Sequence, residues 1–74
     1  MKSIEVYKTN VEDFRQSELL LHALHKRFPA YTANFDLYDC DKVLRIESSH
    51  RQIVNENIIG LLNEFGYIAE PLPD

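Results

Sequence analysis

Two imidazoles and a carboxylate stand at helical spacing in the first half of the chain: Glu18, His22 and His25. At about 100° per residue they fall within roughly 40 to 60° of one another, on the side of a helix away from Leu20, Leu24 and Phe28. Such a set can hold Zn²⁺, Ni²⁺ or Cu²⁺, so a divalent metal-ion carrier or sensor is one functional reading. Three ligands with no evident partner to orient the imidazoles also describe a solvated polar helix face. Cys40, the only cysteine, stands between Asp39 and Asp41. No cation adjoins it to support a thiolate, which makes it an ordinary turn cysteine rather than a nucleophile. His50 opens the second helical pattern, where a positive charge would oppose the helix dipole. There is no Ser-His-Asp set and no paired-carboxylate signature. Gly60 and Gly66, the only glycines, make no phosphate-cradling loop. Neither an enzyme nor a bound cofactor is expected.

The elements that would carry these residues are legible in the apolar spacing. Ile4 and Val6 alternate with Glu5 and Tyr7, which predicts a strand over 3–8 with Ile4 and Val6 facing the core. Thr9 and Asn10 are N-cap types, and Glu12 and Asp13 follow where the helix dipole is positive, so a helix is expected from near residue 11. Its buried face is Ser17, Leu20, Leu21, Leu24 and Phe28, and Pro29 stops it at Phe28. Tyr31, Ala33, Phe35 and Leu37 alternate with polar residues in a second strand. Asp39-Cys40-Asp41 supplies a turn, and Leu44 and Ile46 mark a third strand. Ser48 or Ser49 is the expected cap of a second helix, with Val54, Ile58, Leu61, Leu62 and Phe65 on its buried face. Gly66 is the expected left-handed C-cap. Tyr67 to Ala69 form a last strand that Pro71 and Pro73 end. The open sheet face would carry Glu5, Tyr7, Thr32, Asn34, Arg45 and Glu47.

This order, strand-helix-strand twice over, is the split βαβ plan. It predicts an α+β, ferredoxin-like βαββαβ sandwich: a four-stranded antiparallel sheet with both helices on one face. With 74 residues, 45% of them apolar, residues 1–74 form a single domain with one core. A net charge of −4 with scattered Lys and Arg argues against nucleic acid as a partner. The chain opens in an alternating pattern instead of a signal-type apolar stretch, and Ile58-Ile59-Gly60-Leu61-Leu62 falls far short of the roughly 20 residues that span a bilayer. A cytoplasmic protein without membrane insertion is expected.

Asn10-Val11-Glu12-Asp13-Phe14-Arg15-Gln16, together with Leu24 and the closing Leu62…Gly66-Tyr67, sets a register. On these landmarks the whole chain resembles the heavy-metal-associated (HMA) domain of copper chaperones and metal-transporting ATPases. Members of that family carry Gly-Met-x-Cys-x-x-Cys at the opening of the first helix. Counting back from Leu24, the resemblance puts those cysteines at Asp13 and Gln16, the methionine at Val11, and the loop's entry at Asn10. It implies a metallochaperone-like scaffold without the Cys-x-x-Cys motif, because a carboxylate and an amide do not replace the thiolates that a soft ion selects.

Leu19 and Ile53 break the helical pattern, each falling roughly 140° from its core stripe. With the solvent-facing Tyr7 they form the expected interaction surface. The function read from the sequence is therefore a small non-catalytic binding module, acting through an unknown protein partner or as a weak homodimer, on the outer helix surface or at a free sheet edge.

Overall fold

The computed structural model of the protein describes residues 2–73. The elements follow in the order β1 (Ser3–Thr9), α1 (Phe14–Arg27), β2 (Tyr31–Asp36), β3 (Val43–Ser48), α2 (Asn55–Glu64) and β4 (Ala69–Pro71). The strands form one sheet in the order β2-β3-β1-β4, and every adjacent pair is antiparallel. β1 and β2 thus run parallel with β3 between them, and β3 and β4 run parallel with β1 between them. An α+β arrangement of this kind is compatible with a ferredoxin-like fold. No helix among the described residues is long and apolar enough to cross a membrane.

One buried cluster joins the two helices to one sheet face: Leu20 and Leu24 from α1, Ile58, Leu61 and Leu62 from α2, and Leu44 and Ile46 from β3 are nearly or wholly inaccessible. Among the described residues no buried side-chain nitrogen or oxygen lacks a hydrogen-bond partner, as a stable interior requires. At the surface, the Arg27 guanidinium donates to Glu64 at 2.6 and 3.1 Å and draws its carboxyl below the ordinary range. Both groups are solvated, so the pair ties α1 to α2 with little effect on stability.

β1 is inverted relative to expectation. Tyr7 lies opposite Leu44 and Glu5 opposite Ile46, and directly opposed residues share a sheet face. Tyr7 therefore enters the core and is 0% exposed, whereas Ile4 stands on the open face. Both parities of β1 carry apolar residues. The phenol ring wins the inner side because its hydroxyl finds a buried-end acceptor, Asn55 Oδ1, at 2.7 Å. The open face thus keeps Thr32, Asn34, Arg45 and Glu47 but gains Ile4 and Val6 in place of Glu5 and Tyr7.

Both helices start later than their capping residues suggest. In α1 the cap is Asp13, and Phe14 is the first helical residue. Ser48 Oγ accepts the Arg51 N–H at 3.0 Å, but this closes a turn that no helix continues. Residues 52–54 are not helical, and Val54, itself in extended conformation, caps α2 without a side-chain bond. Residues before 55 consequently escape the helical wheel: Ile53 is 5% exposed and packs in the core, while Val54 is exposed. Phe65 is exposed as well, because it is the C-cap residue at which the helix ends.

Gly66 ends α2 as expected, at φ +86°. Its N–H donates to Asn63 O and the Tyr67 N–H to Leu62 O, at 3.0 and 2.9 Å, the paired bonds of a Schellman cap. A Cβ at residue 66 would meet nothing within 4 Å, so only the backbone conformation restricts the position. Gly66→Val is expected to cost roughly 1 to 2 kcal/mol and Gly66→Asn less, since Asn tolerates the left-handed region. Thermal melts of the two variants check this, and a valine variant as stable as wild type would remove the cap from the account.

The last strand is displaced from 67–69 to Ala69–Pro71 and admits a proline because it is an edge. Leu72 N–H donates to Val6 O at 2.8 Å, so even-numbered residues face β1 and the missing N–H of Pro71 lies on the outer side. At the opposite edge, two of the outward N–H groups of β2 are engaged: Tyr31 donates to Phe28 O and Ala33 to His25 Nε2.

Candidate functional site

Residues 10–13 link β1 to α1, and Asn10, Val11 and Asp13 each have a structural task. Thr9 Oγ1 donates to Lys42 O and accepts the Val11 N–H, and Val11 is buried in the core. Asn10 Oδ1 accepts the Ile68 N–H at 2.9 Å, which pins the α2–β4 connection to this loop. Asp13 Oδ1 accepts the Gln16 N–H at 2.8 Å as the helix N-cap. Positions 13 and 16 are therefore adjacent at a helix N-terminus, but the groups present are an oxygen committed to capping and a neutral amide. They do not fit a soft metal ion.

The β2–β3 turn meets the same loop. Thr9 N–H donates to Asp41 O, and within the turn Asp36 Oδ1 accepts from Tyr38 N and Asp39 Oδ1 from Asp41 N, at 3.1 and 2.9 Å. These Asx-type bonds hold Tyr38 out at the tip, 89% exposed, where its ring meets Phe14, 59% exposed. The two rings are 5.9 Å apart at 61°, an edge-to-face pair. Ile68, 63% exposed, stands on the third connection, beside Asn10. Three loops thus converge at one end of the sheet and each presents a large apolar side chain to solvent.

Neither Phe14 nor Tyr38 was among the residues singled out from the sequence. Phe14 stands in the segment 10–16 but outside the expected buried face of α1, and Tyr38 falls among the outward positions of the β2 alternation. The available signal was an aromatic residue inside an Asp-rich turn, where no core lies beneath it.

The sequence candidates are dispersed. Glu18 and His22 are exposed on α1, and His25 uses Nε2 to accept the Ala33 N–H at 3.3 Å, so an ion on this face would have to take Nδ1. Among the described residues, the group whose potential ligand atoms lie within 4.8 Å of one another is Asp39, Cys40 and Asp41, on the turn itself, with one Asp39 oxygen engaged in turn closure. Of the expected interface residues, Leu19 is 62% exposed, but Ile53 and Tyr7 are buried, so the three form no common surface.

Tyr7 instead serves stability. Burial first, and then the charge of Glu5, push its phenol well above the ordinary value. Below about pH 10 the hydroxyl is protonated in folded and unfolded chains alike. Above it the unfolded chain sheds the proton and the folded one resists, so stability falls as pH rises. Tyr7→Phe should cost about 0.5 to 1.5 kcal/mol at neutral pH by leaving Asn55 Oδ1 without this donor, and should flatten the alkaline decline. Urea midpoints on either side of pH 10 measure both effects.

Compared with protein-family models, with curated proteins and with solved structures, the chain matches none of them.

Proposed function

We propose that this chain is a small non-catalytic module that docks another protein, built on a ferredoxin-like βαββαβ scaffold resembling the heavy-metal-associated domain but without its soft-metal ligands. The fold reading is supported by the two strand-helix-strand units and by the sheet order, which read from the other edge is β4-β1-β3-β2. We place its action in the cytoplasm, where an exposed thiol such as Cys40 persists in reduced form.

The observation that carries the docking reading is the convergence of Phe14, Tyr38 and Ile68 at the loop end. Isolated exposed apolar residues are ordinary, but two aromatic rings in mutual contact and largely in water mark a surface that gains from being covered. The neighbouring surfaces offer less. The other large apolar residues exposed among the described residues, Ile4, Leu19, Val54 and Phe65, include no pair of rings in contact, and the sheet edges have outward donors engaged or absent at Tyr31, Ala33 and Pro71. Of these three residues Phe14 also falls, in the register given by Leu24, within the segment that carries metal in the family the chain resembles.

Capture from extracts of the expressing cell tests this. Wild-type protein and Leu19→Ser should retain the same partner, and a folded Phe14→Ser/Tyr38→Ser variant should lose it. Equal retention by the aromatic variant, or loss through Leu19→Ser alone, would place the docking surface elsewhere.

A further inference from the structure

We infer that the loop end receives a cationic side chain, a lysine or arginine carried by an otherwise apolar segment of the partner polypeptide. The inference rests on the docking reading above and adds the partner's chemistry. Tyr38 is 89% exposed and meets Phe14 edge-to-face, so aromatic π-surface remains open to solvent. A ring face carries negative potential and attracts a cation, guanidinium most often.

Most of the surrounding charge has the same sign, Arg15 next to Phe14 being the exposed exception. Glu12 and Asp13 lie in the β1–α1 loop, and Asp36 and Asp39 bracket Tyr38 in the turn; all four are exposed. Asp13, Asp36 and Asp39 each bind a backbone N–H through Oδ1. Their carboxylates are therefore fixed in place, each with a second oxygen not used in those bonds. The nearby ammonium groups are engaged, Lys8 with Asp41 at 4.0 Å and Lys42 with Leu37 O at 3.2 Å. Such a surface repels an acidic partner and phosphate. It also repels a second copy placed end to end, which would bring the same carboxylates together. A cationic side chain meets ring faces and fixed carboxylates at once, and its aliphatic stem can cover the aromatic edges.

The test is a titration of ¹⁵N-labelled protein with a capped ten-residue peptide of Lys, Arg, Leu and Gly, alongside the same peptide with Glu at every cationic position. Saturable shifts confined to residues 10–16, 36–42 and 66–68 are expected with the basic peptide and absent with the acidic one. Phe14→Ser and Tyr38→Ser should each weaken binding about tenfold. The triple variant Asp13→Asn/Asp36→Asn/Asp39→Asn keeps every Oδ1 that caps a turn or helix while removing the charge, and should weaken binding at least as much. Shifts spread over the whole surface, equal binding of the acidic peptide, or unchanged affinity in these variants would overturn the assignment. If capture from extracts still depends on Phe14 and Tyr38 while the basic peptide does not bind, the docking surface stands and the cationic partner falls. Concentration-dependent dimers in sedimentation that Tyr38→Ser abolishes would assign the surface to a second copy and likewise overturn the cationic partner. Capture indifferent to Phe14 and Tyr38 removes the docking reading itself, whatever the peptides do.

Discussion

Asp13→Cys together with Gln16→Cys should convert a protein indifferent to Cu(I) into one that binds it orders of magnitude more tightly. Residue 13 is the N-cap and residue 16 the third helical position, and the Asp13 side chain already reaches the Gln16 backbone at 2.8 Å. Thiolates at the two positions would lie close together at the exposed start of α1. Partial positive charge from the first unpaired N–H groups favours their anionic form there, and Cu(I) selects thiolate over carboxylate or amide. Loss of the Asp cap costs about 0.5 to 2 kcal/mol, small beside the expected gain in ion binding. Competition against a chromophoric chelator in a Cys40→Ser background reads the affinity. A double-cysteine protein no better than its parent would falsify the register on which the metallochaperone resemblance rests.

Ile58→Ala and Leu24→Ala should each destabilise the fold by roughly 2 to 5 kcal/mol, through lost apolar transfer and the cavity left behind. Both side chains are buried, Ile58 wholly and Leu24 to within 2%, and both belong to the single cluster that joins helices and sheet. At roughly 0.05 to 0.15 kcal/mol per residue, a chain of 74 residues has little stability beyond such a loss. Leu19→Ala, on the same helix as Leu24 but largely in solvent, should stay within about 0.5 kcal/mol of wild type. Urea unfolding of the three variants separates these cases. An Ile58→Ala protein as stable as Leu19→Ala would mean that α2 does not pack as described.

What the sequence conveyed and what it did not divide along a physical line. The buried faces of α1 and α2 and the alternation in β2 and β3 were legible, because each depends on spacing within one element. The Gly66 cap was legible because a single residue type suits its conformation. The parity of β1 was not, since Ile4 and Val6 compete with Tyr7 and the decision comes from Asn55, 48 residues away. The start of α2 was obscured for a related reason: Ser48 makes a cap-like bond in a turn, and Ile53 reaches the core from non-helical chain before α2. The candidate site lay still further from view. Phe14 and Tyr38 belong to different elements, and only the meeting of the β1–α1 loop with the β2–β3 turn places their rings 5.9 Å apart. The metal-ligand spacing of Glu18, His22 and His25 was real on the helix, but His25 is drawn to the edge of β2.

That contact at the edge of β2 has a counterpart across the sheet, and together they bear on valency. A sheet that exposes unpaired donors on both flanks can add strand after strand, so its assemblies have no natural size. Here Ala33 spends its outward N–H on His25 and Tyr31 on Phe28, while Pro71 on the far strand has no N–H to offer. Lateral growth is hindered at these positions on both sides, which leaves the proposed docking at the loop end as the way to add a partner. On the docking proposed above, complexes of this protein should therefore saturate at one partner per chain instead of growing strand by strand.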